Sequence, residues 1–82
     1  MNINLIQQKI VTFLNQATGQ SSIHAESELQ ESGIIDSLLM MDLLVFIETE
    51  FGVRLDFQDL TPDAFRSPST VARLIEGRIG PR

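Results

Sequence analysis

The chain has 82 residues, of which 43% are apolar, which suits a single domain with one modest core and leaves no room for a second. Its formal net charge of −5 argues against a nucleic-acid partner, because phosphate binding needs a basic patch, and in favour of basic partners. With no cysteine there is neither a disulfide framework nor a thiolate metal site, and no stretch approaches the roughly 20 apolar residues that span a bilayer.

The N-terminal residues lack a basic segment followed by an unbroken apolar run, so no signal peptide is read there and the expectation is a soluble cytoplasmic protein without membrane insertion. From residue 4 to residue 18 a first helix is expected. Apolar residues at Ile3, Ile6, Ile10, Phe13, Leu14 and Ala17 give it one buried stripe, with Leu5 and Val11 off that stripe. Asn2 or Asn4 can cap its start, and Gly19 can end it in the left-handed conformation that glycine adopts cheaply.

Residues 20–36 show no sustained period and form a connection longer than most in compact domains, so they should be pinned; Ile23, Leu29, Ile34 and Ile35 are the expected pins. His24 is the only histidine and reads as a solvated loop side chain, with no second histidine or cysteine to hold a metal beside it.

A second helix is expected from Ser37 to Phe51, stopped by Gly52. A turn of about 100° per residue places Met40, Leu43, Leu44, Ile47 and Phe51 on its core side, with Leu39 and Phe46 at the border. Ser37 falls on the other side with Leu38, Met41, Asp42, Val45, Glu48 and Thr49. Two readings of Leu38, Met41 and Val45 stand open: either the 20–36 loop or the 59–65 segment folds over them, or they form an exposed docking stripe. In the second case Asp42 and Glu48 steer basic partners while the apolar side chains supply contact energy. Ten of the eleven acids fall between Glu26 and Asp63, opposed there only by Arg54, a distribution that suits either a solvated surface or a docking surface.

Ser37 is the candidate functional residue. It stands where a loop gives way to a helix, directly after an acid, with its side chain directed to solvent. The free N–H groups and positive dipole end of the helix favour a phosphate on its hydroxyl. Catalysis by the chain itself is disfavoured: a nucleophilic serine needs a positioned base, His24 is the only conventional one, and no G-x-S-x-G elbow is present.

Residues 53–57 alternate like a strand but have nothing to pair with, so they are expected as an extended loop, with Val53, Leu55 and Phe57 as the inward candidates. Thr61 as N-cap, Pro62 at the first helical position and Asp63 in the first turn predict a helix of about one turn. Ser67-Pro68 repeats the signal, Val71, Leu74, Ile75 and Ile79 give the last helix its stripe, and Gly80-Pro81 ends it. The predicted class is all-α: a small four-helix bundle of three main helices and one short one, a single domain over residues 1–82.

Gly33-Ile34-Ile35-Asp36-Ser37-Leu38, followed by Leu43, Ile47 and Phe51-Gly52 at helical spacing, resembles the attachment site of the acyl carrier protein family, and the likeness covers nearly the whole chain. The resemblance implies a carrier fold and 4′-phosphopantetheine on Ser37, transferred from coenzyme A by a separate phosphopantetheinyl transferase. It implies that Asp36 helps that transferase dock, and that Leu38, Met41, Asp42, Val45 and Glu48 form the surface read by partner enzymes. The arm's thiol would carry an acyl or aminoacyl group as a thioester.

The chain begins almost at once with its first helix, as discrete carriers do. Residues 33–37 together with Leu60-Thr61-Pro62-Asp63-Ala64-Phe65-Arg66-Ser67-Pro68 look closer to stand-alone aminoacyl carriers, D-alanine carriers among them, than to the fatty-acid carrier. That implies a monomer loaded by an adenylating ligase or an acyltransferase and unloaded by an acceptor enzyme, in specialised-metabolite or cell-envelope biosynthesis. A polyketide or specialised fatty-acyl carrier is the alternative within the family, and an unmodified helical adaptor the alternative outside it.

Overall fold

The computed structural model describes residues 2–30 and 32–79. Helix α1 spans Ile3–Thr18, α2 spans Ser37–Phe51, a single 3₁₀ turn covers Phe57–Asp59, and α3 spans Pro68–Ile79; no strand occurs among the described residues. The all-α class holds, and the short fourth segment lies one loop earlier than the sequence predicts. The Gly80-Pro81 stop lies outside the described residues.

The Asn2 side chain accepts the Asn4 N–H at 2.7 Å to open α1, and Gly19 at φ +71 closes it. Its buried face is Ile6, Ile10 and Leu14. Ala17 does not continue that face and is exposed, because the buried row advances by four residues and its next member is Thr18. The Thr18 hydroxyl donates to the Leu14 carbonyl at 2.7 Å.

In α2 the buried row is Leu39, Leu43 and Ile47, while Met40, Leu44, Phe46 and Phe51 are only partly covered. The core side is therefore rotated by about one residue from the expected one, and Leu39 moves from its border into it. Apolar side chains occupy most of the circumference of this helix, so periodicity gives it little direction. Tertiary packing decides which way it faces.

After Gly52 the chain is extended, with Val53 buried and Leu55 partly so. Phe57, an inward candidate by alternation, is instead 90% exposed at the head of the 3₁₀ turn. That turn is closed by the Asp56 N–H donating to the Asp59 carboxylate at 2.8 Å and by the Asp59 N–H donating to the Asp56 carbonyl at 2.9 Å. The Thr61 cap forms, with Ala64 N–H donating to its hydroxyl at 3.1 Å, but residues 62–65 make turns and no helix. The chain has to seat Phe65, fully buried, and then begin α3 at Pro68.

Ser67 caps α3 from a buried position. Its N–H donates to the Thr70 hydroxyl at 3.1 Å and its hydroxyl accepts from the Thr70 N–H at 3.3 Å. Val71, Ala72 and Ile75 complete the core, and α1 packs chiefly on α3 while α2 touches both.

Candidate site at the start of α2

Asp36 is extended at φ −109 and is the N-cap of α2: one carboxylate oxygen accepts the Leu39 N–H at 2.8 Å and its carbonyl accepts the Met40 N–H at 2.9 Å. Ser37 is therefore the first helical residue, and it is exposed. The cap fixes where the helix begins and so fixes Ser37 at its positive end. The same carboxylate offsets part of that positive potential, so the preference for an anion at Ser37 is weaker than the bare helix would give. The capping role is legible from an acid placed before an apolar run, a signal the sequence reading applied to Thr61 and Ser67 but not to Asp36.

The loop that delivers Ser37 is held from both sides. The Asn15 amide clasps Ile23, accepting its N–H at 3.0 Å and donating to its carbonyl at 3.1 Å, as a neighbouring strand would. Further along, Leu29 N–H donates to the Arg66 carbonyl at 2.7 Å, Ser69 N–H to the Ala25 carbonyl at 3.0 Å, and the Gln30 amide to the Phe65 carbonyl at 3.2 Å. Ile23 and Leu29 are buried, and Ile34 and Ile35 pack partly on the core, so all four expected pins are in place. Gly33, at φ +77, turns the chain toward Ser37 in a conformation that disfavours a Cβ.

Leu38 is 74% exposed, and Met41 and Val45 are each 61% exposed. Neither loop covers them. Asp42 and Glu48 are exposed on the same helix, so the apolar and acidic side chains form one free face with Ser37 at its end. His24 lies elsewhere, its Nδ1 accepting the Glu26 N–H at 3.3 Å within its own turn. Among the described residues no group of three or more His, Cys, Asp or Glu side chains is placed to hold a metal ion, and no helix is long and apolar enough to cross a membrane.

One feature escaped the sequence reading. Helices α1 and α2 run antiparallel in a fixed register: Lys9 pairs with Glu50 at 2.8 Å, and Phe13 stacks on Phe46 with ring centroids 4.5 Å apart. Ala17 and Asp42 then line the seam where it opens. Two adjoining hollows follow this seam. The first, about 280 Å³, is walled by Ala17, Ile34, Asp36, Leu38 and Asp42, and Ser37 is not among its walls. The second, about 430 Å³, is walled by Ala17, Asp42, Val45, Thr49 and the Phe13–Phe46 stack. Rows at four-residue spacing on both helices, Lys9, Phe13, Ala17 against Asp42, Phe46, Glu50, carry the signal.

Residues 4–75 match the phosphopantetheine attachment site family. The chain is 30% identical over 77 residues to aminoacyl carrier protein 2 of Bradyrhizobium diazoefficiens, covering 94% of this chain and 85% of that protein. It is 26% identical over 76 residues to the D-alanyl carrier protein of Leuconostoc citreum, covering 92% and 97%. Among solved structures, a chain from a crystal structure described as that of an FAD-dependent dehydrogenase superposes with a TM-score of 0.76 at 30% identity, covering 82% of this chain and 99% of that one. A chain from the Bradyrhizobium japonicum glycine:[carrier protein] ligase complexed with glycylated carrier protein superposes with a TM-score of 0.68 at 25% identity, covering 88% and 96%.

Proposed function

We propose, from the premise that this chain belongs to the phosphopantetheine attachment site family, that it is an aminoacyl carrier whose arm is joined to Ser37. The observation that carries the reading is an exposed hydroxyl on the first residue of a capped helix, inside the matched span. The residues fit the group: Ser37 is exposed, and the helix N-terminus would face a phosphate joined to its hydroxyl. When attached, the arm supplies a thiol that carries an acyl or aminoacyl group as a thioester.

Attachment makes a bond from Ser37 Oγ to the phosphorus that bears pantetheine. The pyrophosphate link of coenzyme A breaks, adenosine 3′,5′-bisphosphate leaves with the electron pair, and the hydroxyl proton passes to the transferase. Asp36 keeps Ser37 at the helix end, and its carboxylate would help that enzyme and its metal dock. Leu38, Met41 and Val45 provide the apolar contact, and Asp42 and Glu48 the charge, read by the loading ligase and the acceptor. The carrier contributes no catalytic group of its own, and works in the cytoplasm as a single domain. The glycylated carrier and the D-alanyl relative support a small amino acid as cargo, and the ligase in complex with the former supports a ligase as loader.

Intact mass before and after incubation with coenzyme A, magnesium and a broad-specificity phosphopantetheinyl transferase tests this. One phosphopantetheine gained by the wild type and none by Ser37→Ala is the expected result. No gain on folded wild type overturns it and favours an adaptor that uses the exposed α2 face alone.

A further inference from the structure

The chain that leads into the attachment site is fastened to the approach to α3 by one side chain, that of Gln30. We propose that Gln30 is a positioning residue for arm attachment, which holds the chain before Ser37 in the form the transferase meets; the inference rests on the carrier reading above.

Gln30 is half-buried, and its backbone groups and side-chain donor are all engaged. Its N–H donates to the Glu28 carboxylate at 2.9 Å, its carbonyl accepts the Gly33 N–H at 3.3 Å, and its side-chain amide donates to the Phe65 carbonyl at 3.2 Å. The residue stands at a corner. The Ile35 N–H donates to the Leu29 carbonyl at 3.2 Å, so the chain closes on itself two positions before Ser37, with Gln30 the first residue inside the closure.

The far anchor is fixed. Phe65 is fully buried, and its N–H donates to the Thr61 carbonyl at 3.2 Å. Phe65 and Arg66 precede Ser67, the cap of α3, so their carbonyls lie outside the helical ladder and can accept from another segment. Arg66 takes the Leu29 N–H at 2.7 Å and Phe65 takes the Gln30 amide. A relay results: Arg66 holds Leu29, Leu29 holds Ile35, and Ile35 sets the approach to Asp36 and Ser37.

The other links of the relay are backbone groups, which almost any residue supplies. Gln30 alone depends on its side chain, and on that side chain being a donor: a carboxylate of the same shape would turn an acceptor toward the Phe65 carbonyl. The Asp36 cap holds the end of α2 but not the chain before it. With the Gln30 bond lost, Ser37 stays on its helix while its approach opens part of the time. An enzyme that meets only the closed form then binds more weakly in proportion to the closed fraction, and its rate at saturation is unchanged.

The test compares the full-length wild type, Gln30→Met and Gln30→Glu as substrates for a broad-specificity phosphopantetheinyl transferase with saturating coenzyme A and magnesium, and by amide hydrogen exchange. A lost neutral hydrogen bond shifts a local opening equilibrium by about two- to tenfold, so Gln30→Met should quicken exchange at Leu29 and Ile35 about fivefold more than at Leu43. The KM for the carrier should rise about threefold in Gln30→Met and about tenfold in Gln30→Glu, at constant kcat. Asp59→Asn is the control, since Asp59 pairs with Arg78 in the last turn of α3, at the other end of that helix; it should lower stability without moving KM. If Gln30→Glu folds poorly by circular dichroism, Gln30→Met carries the comparison alone.

A raised KM with exchange at Leu29 and Ile35 unchanged would make Gln30 a direct contact of the transferase and overturn the positioning role. An effect confined to Gln30→Glu, which belongs to the added charge, overturns it as well, and so does a fall in kcat at constant KM. Equal KM in all four proteins, or a KM that rises as much in Asp59→Asn, has the same result. Failure of the wild type to gain an arm by mass overturns the carrier reading, and with it any role in attachment.

Discussion

The carboxylate of Asp36 accepts the Leu39 N–H at 2.8 Å, so the acid next to Ser37 is a structural cap before it is anything else. This separates two roles that a simple deletion would confuse. Asp36→Ala should cost about 0.5–2 kcal/mol of stability through the lost cap, whereas Asp36→Asn keeps an oxygen acceptor and should stay near wild type. If the transferase reads the negative charge, both variants slow arm attachment. Urea melts alongside the rate of mass gain distinguish them: a normal rate in a stable Asp36→Asn assigns Asp36 to capping only.

The exposed stripe is predicted to matter to partners and not to the fold. Met41→Ala or Val45→Ala should leave stability within about 0.5 kcal/mol, since neither side chain is part of the core. Each should reduce kcat/KM of a loading ligase by roughly fivefold or more if the side chain anchors the interface. Unchanged loading kinetics for both would remove the stripe from the recognition surface.

Asn15 holds Ile23 with both ends of its amide, and that pairing needs one donor and one acceptor. Asn15→Asp keeps the acceptor and loses the donor, placing a carboxylate oxygen against the Ile23 carbonyl. The expected cost is about 1–3 kcal/mol by thermal or urea melting, with faster amide exchange at Ile23. Full retention of stability would mean that water replaces the lost donor.

Asp59 is held below the usual carboxylate range, first by the Asp56 N–H it accepts, then by Arg78 on α3, with desolvation opposing both. A depressed folded pKa contributes stability that is fully present above the ordinary aspartate value. It is lost as pH falls through the lower folded value. Acid titration of stability should therefore show a component from Asp59 below pH about 4 that Asp59→Asn removes. An identical acid limb in the variant would show that the 3₁₀ turn is already open in acid by another route.

How far the sequence could be read depended on how one-sided each segment is. Helix α1 carries most of its apolar residues on one face, and its cap, its stop and the buried Ile6, Ile10 and Leu14 were legible, whereas Ala17, expected on the same stripe, is exposed. Helix α2 is apolar nearly all round, so its limits could be read from Asp36 and Gly52 but its facing could not; only contact with α1 and α3 makes Leu39 core and leaves Leu38 in solvent. Alternation suggested an inward Phe57, yet the Asp56–Asp59 turn swings it outward. The exposed position of Ser37 at a helix start was legible because a loop, an acid and an apolar run coincide there. The seam was not, because it depends on pairing two helices whose relative direction no single stretch records.

The bonds that brace the loop before Ser37 have a consequence in time. Ala25, Leu29 and Gln30 are fastened to Ser69, Arg66 and Phe65, partners that lie some 35 residues or more further along the chain. On a chain synthesised from its N-terminus, the segment leading to Ser37 cannot take its final form until residues 65–69 have emerged, although α1 and α2 are complete well before. The order of synthesis thus withholds the finished form of this loop until most of the domain exists, so an incomplete chain presents the serine but not its setting.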